Sequence, residues 1–451
     1  MTAWTAADPV NVSRVIDDGP FSRPQVVAIA LCSLVAFLDG VDSQSIAIAA
    51  PIIVDSLQVS RTALGPVFSA GLLGATFGAL LFGPLGDRFG RKRMLIAAAA
   101  IFGVFTLATA TVASLQALVA VRFLAGIGLG GATPCFIALA SEFAPRRRRA
   151  MVASLIWAAF PLGGALGGFI NAALLKDFGW RAMFYVGGVL PLLVAAVLAV
   201  ALPESLRYLL ARNAPAARVA AVLNRLRPGL PSATRYVADE ERAHGAPLRQ
   251  LFADGRAGVT LLLWVPFFMA FGVLAITVVW TPVLLRDHGI APTAAGVALG
   301  VHGLGALIGM GAAGRLLERF GAVPVLVPAL LLGAVFTGLL GYAAYSLPVI
   351  SAVLFLIGIS VGTGASGSIA LAALTYPTSM RSSGIGWAMG MGRFGQVFAP
   401  LFATWTVAMG WNGGQTFLAF ALAPLIAALA VLALRRNRST VLGETRTAAP
   451  G

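Results

Sequence analysis

The chain has 451 residues, 59% of them hydrophobic and only 11% charged, whereas soluble domains carry about 25% charged residues. So few charges cannot cover the surface of a soluble protein of this size, and the same composition excludes disorder, collagen and coiled coil; the chain reads as a polytopic membrane protein. A net charge of +15 would suit nucleic acid, but the placement of the basic residues assigns them to lipid instead.

A bilayer core needs about 20 apolar residues per helix. Scanning from the N-terminus predicts twelve such helices, at 26–50, 64–86, 94–112, 115–141, 150–174, 182–202, 258–284, 293–313, 323–342, 349–374, 383–408 and 414–434. These runs are too long for membrane β-strands of about 10 alternating residues. The start of the chain lacks a basic stretch followed by an apolar core, so no cleaved signal is expected. Cys32 and Cys135 both lie in apolar runs, so no disulfide framework is expected. With both ends on one side, the loops on the other side hold only Arg61, Lys176, Arg181 and Arg286. Arg122 and Arg393 lie within spans, and every other Lys or Arg sits at a terminus or in a loop on the first side. That asymmetry places both termini in the cytoplasm.

The expected organisation is a tail (1–25), a six-helix bundle (26–202), a linker (203–257), a second six-helix bundle (258–434) and a tail (435–451). The linker carries nine arginines, the acidic cluster Asp239-Glu240-Glu241 and a candidate amphipathic surface helix at 216–226.

Ionisable residues inside spans are costly and point to function. In span 1, Asp39 and Asp42 are three residues apart and share a helix face. Two carboxylates so close at low dielectric resist joint ionisation, so the pair is a candidate for proton uptake and release. At about 1.5 Å per residue, Asp39 and Arg122 of span 4 both lie roughly 20 Å up in a core about 30 Å thick. Asp39 is therefore the expected partner of Arg122. His302 in span 8 is a candidate for proton exchange or for a hydrogen bond to a hydroxyl of the ligand. Arg393 in span 11 lies near the midplane with no acidic neighbour in its own span. A guanidinium binds a carboxylate through two parallel hydrogen bonds, which makes Arg393 the candidate carboxylate anchor, with Gln396 on the same face. Trp157, Phe160 and Trp387 are candidates to stack on a ligand ring. Trp4, Trp180 and Trp411 read as interface anchors or tail residues.

The two halves repeat. Gly83-Pro-Leu-Gly-Asp87-Arg88-Phe89-Gly90 follows span 2, and Gly314-Arg-Leu-Leu-Glu318-Arg319-Phe320-Gly321 follows span 8. Phe123-Leu-Ala-Gly126-Ile-Gly-Leu-Gly130 in span 4 matches Phe355-Leu-Ile-Gly358-Ile-Ser-Val-Gly362 in span 10. Two six-helix halves with a site between them form an alternating-access plan.

Gly83-x-x-x-Asp87-Arg88-x-Gly90-Arg91-Lys92-Arg93 after the second of twelve spans resembles the major facilitator superfamily. Leu38-Asp39-Gly40-Val41-Asp42, Gly128-Leu-Gly-Gly131, Ser141-Glu142-Phe143-Ala144-Pro145, Gly386-Trp387-Ala388 and Gly392-Arg393-Phe394-Gly395 are similar to its aromatic acid:proton symporters. The resemblance implies an all-α membrane fold of two pseudo-symmetric six-helix bundles. It also implies import of an aromatic acid or a ring-cleavage product with protons, and the inner membrane of a bacterium. It implies partners limited to an organic anion, protons and the bilayer, and function as a monomer.

Asp87 is expected to accept from the N–H groups that open span 11, near Ser382 and Ser383, closing the cytoplasmic side. Glu142, beside the arginine run 146–149, extends that charge cluster. Glu318 and Arg319 are the counterparts in the second half. Glycine ladders at Gly74/Gly78, Gly163/Gly167, Gly164/Gly168, Gly305/Gly309 and Gly386/Gly390 mark close helix contacts. By the superfamily plan they line the interface between halves.

Three other functions compete. A proton antiporter exporting drugs or metabolites shares the fold, but a midplane arginine weighs against a cationic cargo. A membrane sensor would need an output domain, and the linker and tail are poor candidates. A membrane enzyme would need a metal or nucleophile constellation, yet His244, His288 and His302 are scattered. No cofactor is expected, and no glycine loop for ATP phosphates is present.

Overall fold

The computed structural model describes residues 10–17, 21–226, 236–237, 248–253, 255–342, 346–376 and 380–446. Trp4, the cluster Asp239-Glu240-Glu241 and His244 lie outside the described residues, as do the side chains of Arg146 and Ser382. The first half contains α1 (Val12–Asp17), α2 (Arg23–Ser56), α3 (Leu64–Phe89), α4 (Arg91–Thr109), α5 (Leu115–Phe143), α6 (Arg149–Phe178) and α7 (Trp180–Ala201). The linker contains α8 (Leu206–Ala211), α9 (Ala216–Leu226) and α10 (Leu248–Phe252). The second half contains α11 (Ala257–Asp287), α12 (Pro292–Phe320), α13 (Ala322–Leu340), α14 (Leu347–Thr375), α15 (Arg381–Ala408) and α16 (Gly413–Arg446). Each predicted span coincides with one of twelve long helices, with the spans at 94–112, 182–202 and 323–342 running one to three residues past the helix end.

Among the described residues, 11 helices are long and apolar enough to cross a membrane. The predicted span at 383–408 is the exception. It forms α15, but Arg393 and Gln396 at its centre lower its apolarity. The linker helix at 216–226 forms as α9 and buries Val219, Leu223 and Leu226. The face that holds α1 and the linker helices is termed the terminal face, and the opposite one the distal face.

Local signals set the helix ends. Ser22 and Gln25 form a reciprocal capping box at the start of α2. Ser114 accepts from the Ala117 N–H at the start of α5. Gly90 (φ 105°) and Gly321 (φ 85°) turn the chain between α3 and α4 and between α12 and α13. Only glycine adopts that backbone conformation at little cost. Arg88 stacks on Phe89 and Arg319 on Phe320, each at 5.2 Å, so the repeated motif builds the same corner twice.

The glycine ladders repeat in the same way. A side chain at Gly74 or Gly78 would collide with the carbonyls of Phe123 and Ile127 in α5. A side chain at Gly305 or Gly309 would collide with those of Phe355 and Ile359 in α14. Gly163 meets Phe37 and Gly167 meets Val41, both in α2. These ladders therefore pack helices within each half, not across the interface that the family plan assigns them. Gly168 does cross it, meeting Gly296 and Gly300 of α12. A side chain at Gly386 or Gly390 would meet nothing within 4 Å.

Contacts between halves gather toward the distal face. Gly303 packs on Ala165 and Gly65 on Thr404. Ser69 Oγ donates to the Val397 carbonyl at 2.8 Å. At the rim, Arg286 pairs with Asp55 and Arg61 with Asp287. The halves thus meet on the distal side, while Gly386 and Gly390 of α15, nearer the terminal face, have open space beside them.

Candidate functional site

A cavity of about 270 Å³ lies between the halves. Asp39 and Gln44 enter from α2, Trp157 and Phe160 from α6, His302 from α12, and Arg393 and Gln396 from α15. Phe271 of α11 and Met389 of α15 add apolar wall. Asp39 and Arg393, from opposite halves, are within electrostatic reach of one another. The cavity therefore combines the Arg393 guanidinium, the Asp39 carboxylate, the edge of the Asp42–Arg122 pair and aromatic surfaces. That combination suits an anion carrying an apolar ring.

Trp387 is the exception among the residues assigned to the ligand. It is 45% exposed and does not line the cavity. Its position is six residues before Arg393, about 600° around the helix at about 100° per residue, so it points to a different side of α15. Arg122 also differs from expectation, because its partner is Asp42 and not Asp39. Arg122 Nη2 lies 2.6 Å from Asp42 Oδ2, and Nη1 lies 3.3 Å from Oδ1. Thr106 of α4 adds a 3.3 Å bond to Asp42.

At the terminal face Arg91 joins two carboxylates, Asp87 at 3.0 Å and Glu142. Glu142 also accepts from Ser205 Oγ at 2.5 Å, tying α5 to the linker. Its described partners are thus Arg91 and Ser205, whereas Arg149 reaches Asp17 at 3.8 Å and the Ala144 carbonyl. Asp87 is 69% exposed and bonds to Arg91. Among the described residues it makes no hydrogen bond to α15, because the halves are apart on this side. Gly83 packs near Pro134.

Glu204 is a residue that the charge-in-span reading missed. It accepts from the Lys92 N–H at 2.9 Å, capping α4, and approaches Gly90. A carboxylate just past the end of span 6 is visible in the sequence, but its partner lies over a hundred positions away. In the second half Gly321 is followed by Ala322 and Val323, so Glu318 has no counterpart of Arg91, and it is exposed.

Two halves built from one repeated unit around a central cavity define a multi-pass membrane transporter. The chain belongs to the Major Facilitator Superfamily, whose sequence profile matches residues 32–289 and 267–450. It is 35% identical to the 4-hydroxybenzoate transporter PcaK of Pseudomonas aeruginosa, over 95% of this chain and 96% of that one. It is 36% identical to the gallate transporter of Pseudomonas putida, over 94% and 95% of the two chains. The fold is similar to the partially occluded, inward-open xylose transporter XylE from E. coli. The TM-score is 0.70 at 21% identity, covering 90% of this chain and 97% of that one. The protein is a transporter and not an enzyme.

Proposed function

We propose that the protein imports an aromatic carboxylate together with protons by alternating access. The observation that carries this reading is the shared cavity, in which Arg393 of one half faces Asp39 of the other between aromatic walls. Relatives named for 4-hydroxybenzoate and gallate support the same cargo class. The skew of Lys and Arg supports cytoplasmic termini in a bacterial inner membrane. With that orientation the side on which Gly386 and Gly390 have open space is the cytoplasmic one.

Arg393 anchors the carboxylate, Gln396 supports it, and Trp157 and Phe160 cover the ring. Asp39 takes up the proton, while Asp42 and Arg122 form the fixed charge pair beside it. The bundles 26–202 and 258–434 rock about the α6–α12 and α3–α15 contacts, and a monomer suffices. Gly83, Asp87, Arg88, Gly90, Arg91 and Glu142 form the cytoplasmic gate, with Glu318 and Arg319 in the equivalent corner. A monovalent anion entering against an inside-negative potential costs about 2.3 kcal/mol per 100 mV. One accompanying proton makes the step electroneutral and leaves the pH gradient as the driving force.

The test is uptake of radiolabelled 4-hydroxybenzoate and gallate into proteoliposomes with an imposed inside-alkaline gradient. Accumulation that a protonophore abolishes and Arg393→Ala removes is the expected result. Uptake that ignores the gradient overturns proton coupling, and uptake that survives Arg393→Ala overturns the anchor.

A further inference from the structure

The stretch before the first span is more than a loose tail. In Val12-Ser-Arg-Val15-Ile16-Asp17 apolar residues recur at i, i+3 and i+4, one face of a helix. Asn11 caps that helix, its side chain accepting from the Ser13 and Arg14 N–H groups at 3.0 and 3.2 Å. Val12, Val15 and Ile16 are all buried, so α1 is docked by its apolar face.

The dock lies over the charge cluster of the terminal face. A cavity of about 20 Å³ has Val12 and Ile16 of α1 on one side. Glu142 of α5, Arg149 of α6 and Leu206 of α8 are on the others. Space of that size admits about one water, so α1 keeps bulk solvent from Glu142 on this side. Two further ties hold the tail in place. Val10 and Asn11 pair as a parallel strand with Tyr236 and Val237 of the linker, and Asp17 reaches Arg149 at 3.8 Å.

Arg91 carries the consequence. Its guanidinium is shared between a buried carboxylate, Glu142, and an exposed one, Asp87. Attraction between charges is stronger away from water, and a buried pair is costly to break. With α1 docked, Glu142 therefore holds Arg91 more firmly than Asp87 does. With α1 lifted, water reaches Glu142, the two carboxylates compete on more equal terms, and Arg91 holds Asp87 back.

We propose that the tail is a releasable cap on the gate. Docked, α1 keeps Glu142 dry and Arg91 on it, which leaves Asp87 free to close the terminal face. Undocked, it slows that closure. The dock is small enough to release: three apolar side chains, a two-residue strand pair and a partly exposed ion pair hold it. This rests on the reading of Asp87 as a gate carboxylate.

The test uses the full-length protein. Val12→Asn with Ile16→Asn places two unpaired amides in the dock and adds no charge that could pair with Glu142 or Arg149. Docking is read by maleimide labelling of Leu206→Cys, because Leu206 is 2% exposed beneath α1 and the native Cys32 and Cys135 are buried. The undocking pair is expected to speed labelling about tenfold or more. Unchanged labelling would mean that α1 does not cover this cluster, and overturns the proposal.

Net uptake into proteoliposomes reads the gate. The undocking pair is expected to slow it toward the rate of Glu142→Ala, and to slow it no further when combined with Glu142→Ala. Losses that multiply overturn the proposal, since the tail then acts elsewhere than through Glu142. Uptake at the wild-type rate despite fast labelling overturns it as well. Failure of the gate reading is distinguishable: Asp87→Asn then transports at the wild-type rate, whereas the labelling contrast at Leu206→Cys stands. Should the undocking pair not elute as a single species in detergent, Ile16→Ala takes its place in every comparison. That change removes apolar contact without burying a polar group.

Discussion

The Asp42 carboxylate and the Arg122 guanidinium form a buried pair between α2 and α5, with side chains 1% and 5% exposed. Removing one partner of such a pair leaves an uncompensated charge and costs roughly 3–5 kcal/mol. Arg122→Ala is therefore expected to lower the melting temperature in detergent by many degrees. Asp42→Leu combined with Arg122→Met, which removes both charges, is expected to recover most of that loss. A single variant that melts with the wild type would show that the pair is not structural.

Asp39 stands one turn earlier on the same helix and lines the cavity with Arg393. Among the described residues no salt bridge or side-chain hydrogen bond holds its carboxylate, whereas Arg122 holds that of Asp42. Asp39→Asn is expected to keep the melting temperature and to exchange substrate across the membrane. It is expected to lose accumulation driven by a pH gradient. Gradient-driven accumulation by Asp39→Asn, measured beside the wild type in the same proteoliposomes, would remove Asp39 from the proton path.

The contrast between these two carboxylates marks what the sequence could reveal. Hydropathy runs placed all the long helices, and the 83–90 and 314–321 motifs foretold two equivalent corners, because both signals are local. Depth along a helix is also local, so the presence of Arg122 at the level of span 1's acidic residues was legible. Which aspartate meets it depends on helix rotation. Asp39 and Asp42 differ by about 4.5 Å along the axis and about 60° around it, finer than a span boundary fixes. Trp387 failed for the same reason. The Gly74/Gly78 and Gly305/Gly309 ladders were recognisable as contact stripes, but their partners within each half were not.

The distal ion pairs lay beyond sequence reasoning altogether. The adjacent residues Arg286 and Asp287 reach back to Asp55 and Arg61, one cation and one anion from each half. All four side chains are substantially exposed, so each pair contributes about 0–1 kcal/mol. That is little for stability but enough to bias two conformations of similar energy. Asp55→Asn with Asp287→Asn is expected to raise the population in which the distal face is open. Distances between spin labels at Thr62→Cys and Ala291→Cys report it, and high salt is expected to shift the wild type the same way. Unchanged distance distributions in both conditions would mean that the apolar α6–α12 contact alone closes this face.

Asp87 provides a way to read a state other than the one described. Its bond to Arg91 spans the Gly90 corner with the carboxylate exposed, and a surface pair of this kind adds only about 0–1 kcal/mol. Glu142 holds the same arginine from a buried position and is anchored by Ser205, so Arg91 stays in place when Asp87 is neutralised. Asp87→Asn is expected to melt within about 2 °C of the wild type, since a ΔΔG of 1 kcal/mol shifts Tm by only about 2–4 °C at larger chain lengths. If Asp87 closes the terminal face against the start of α15, its loss nevertheless slows net uptake about tenfold or more. The energy then resides in a conformation in which the α15 glycines are covered. Glu142→Ala is expected to act differently, lowering both stability and uptake, because it leaves Arg91 with only the exposed Asp87 and frees α8 from α5. Transport by Asp87→Asn at the wild-type rate would remove this carboxylate from the gate and leave Arg91 and Glu142 as a purely structural tie.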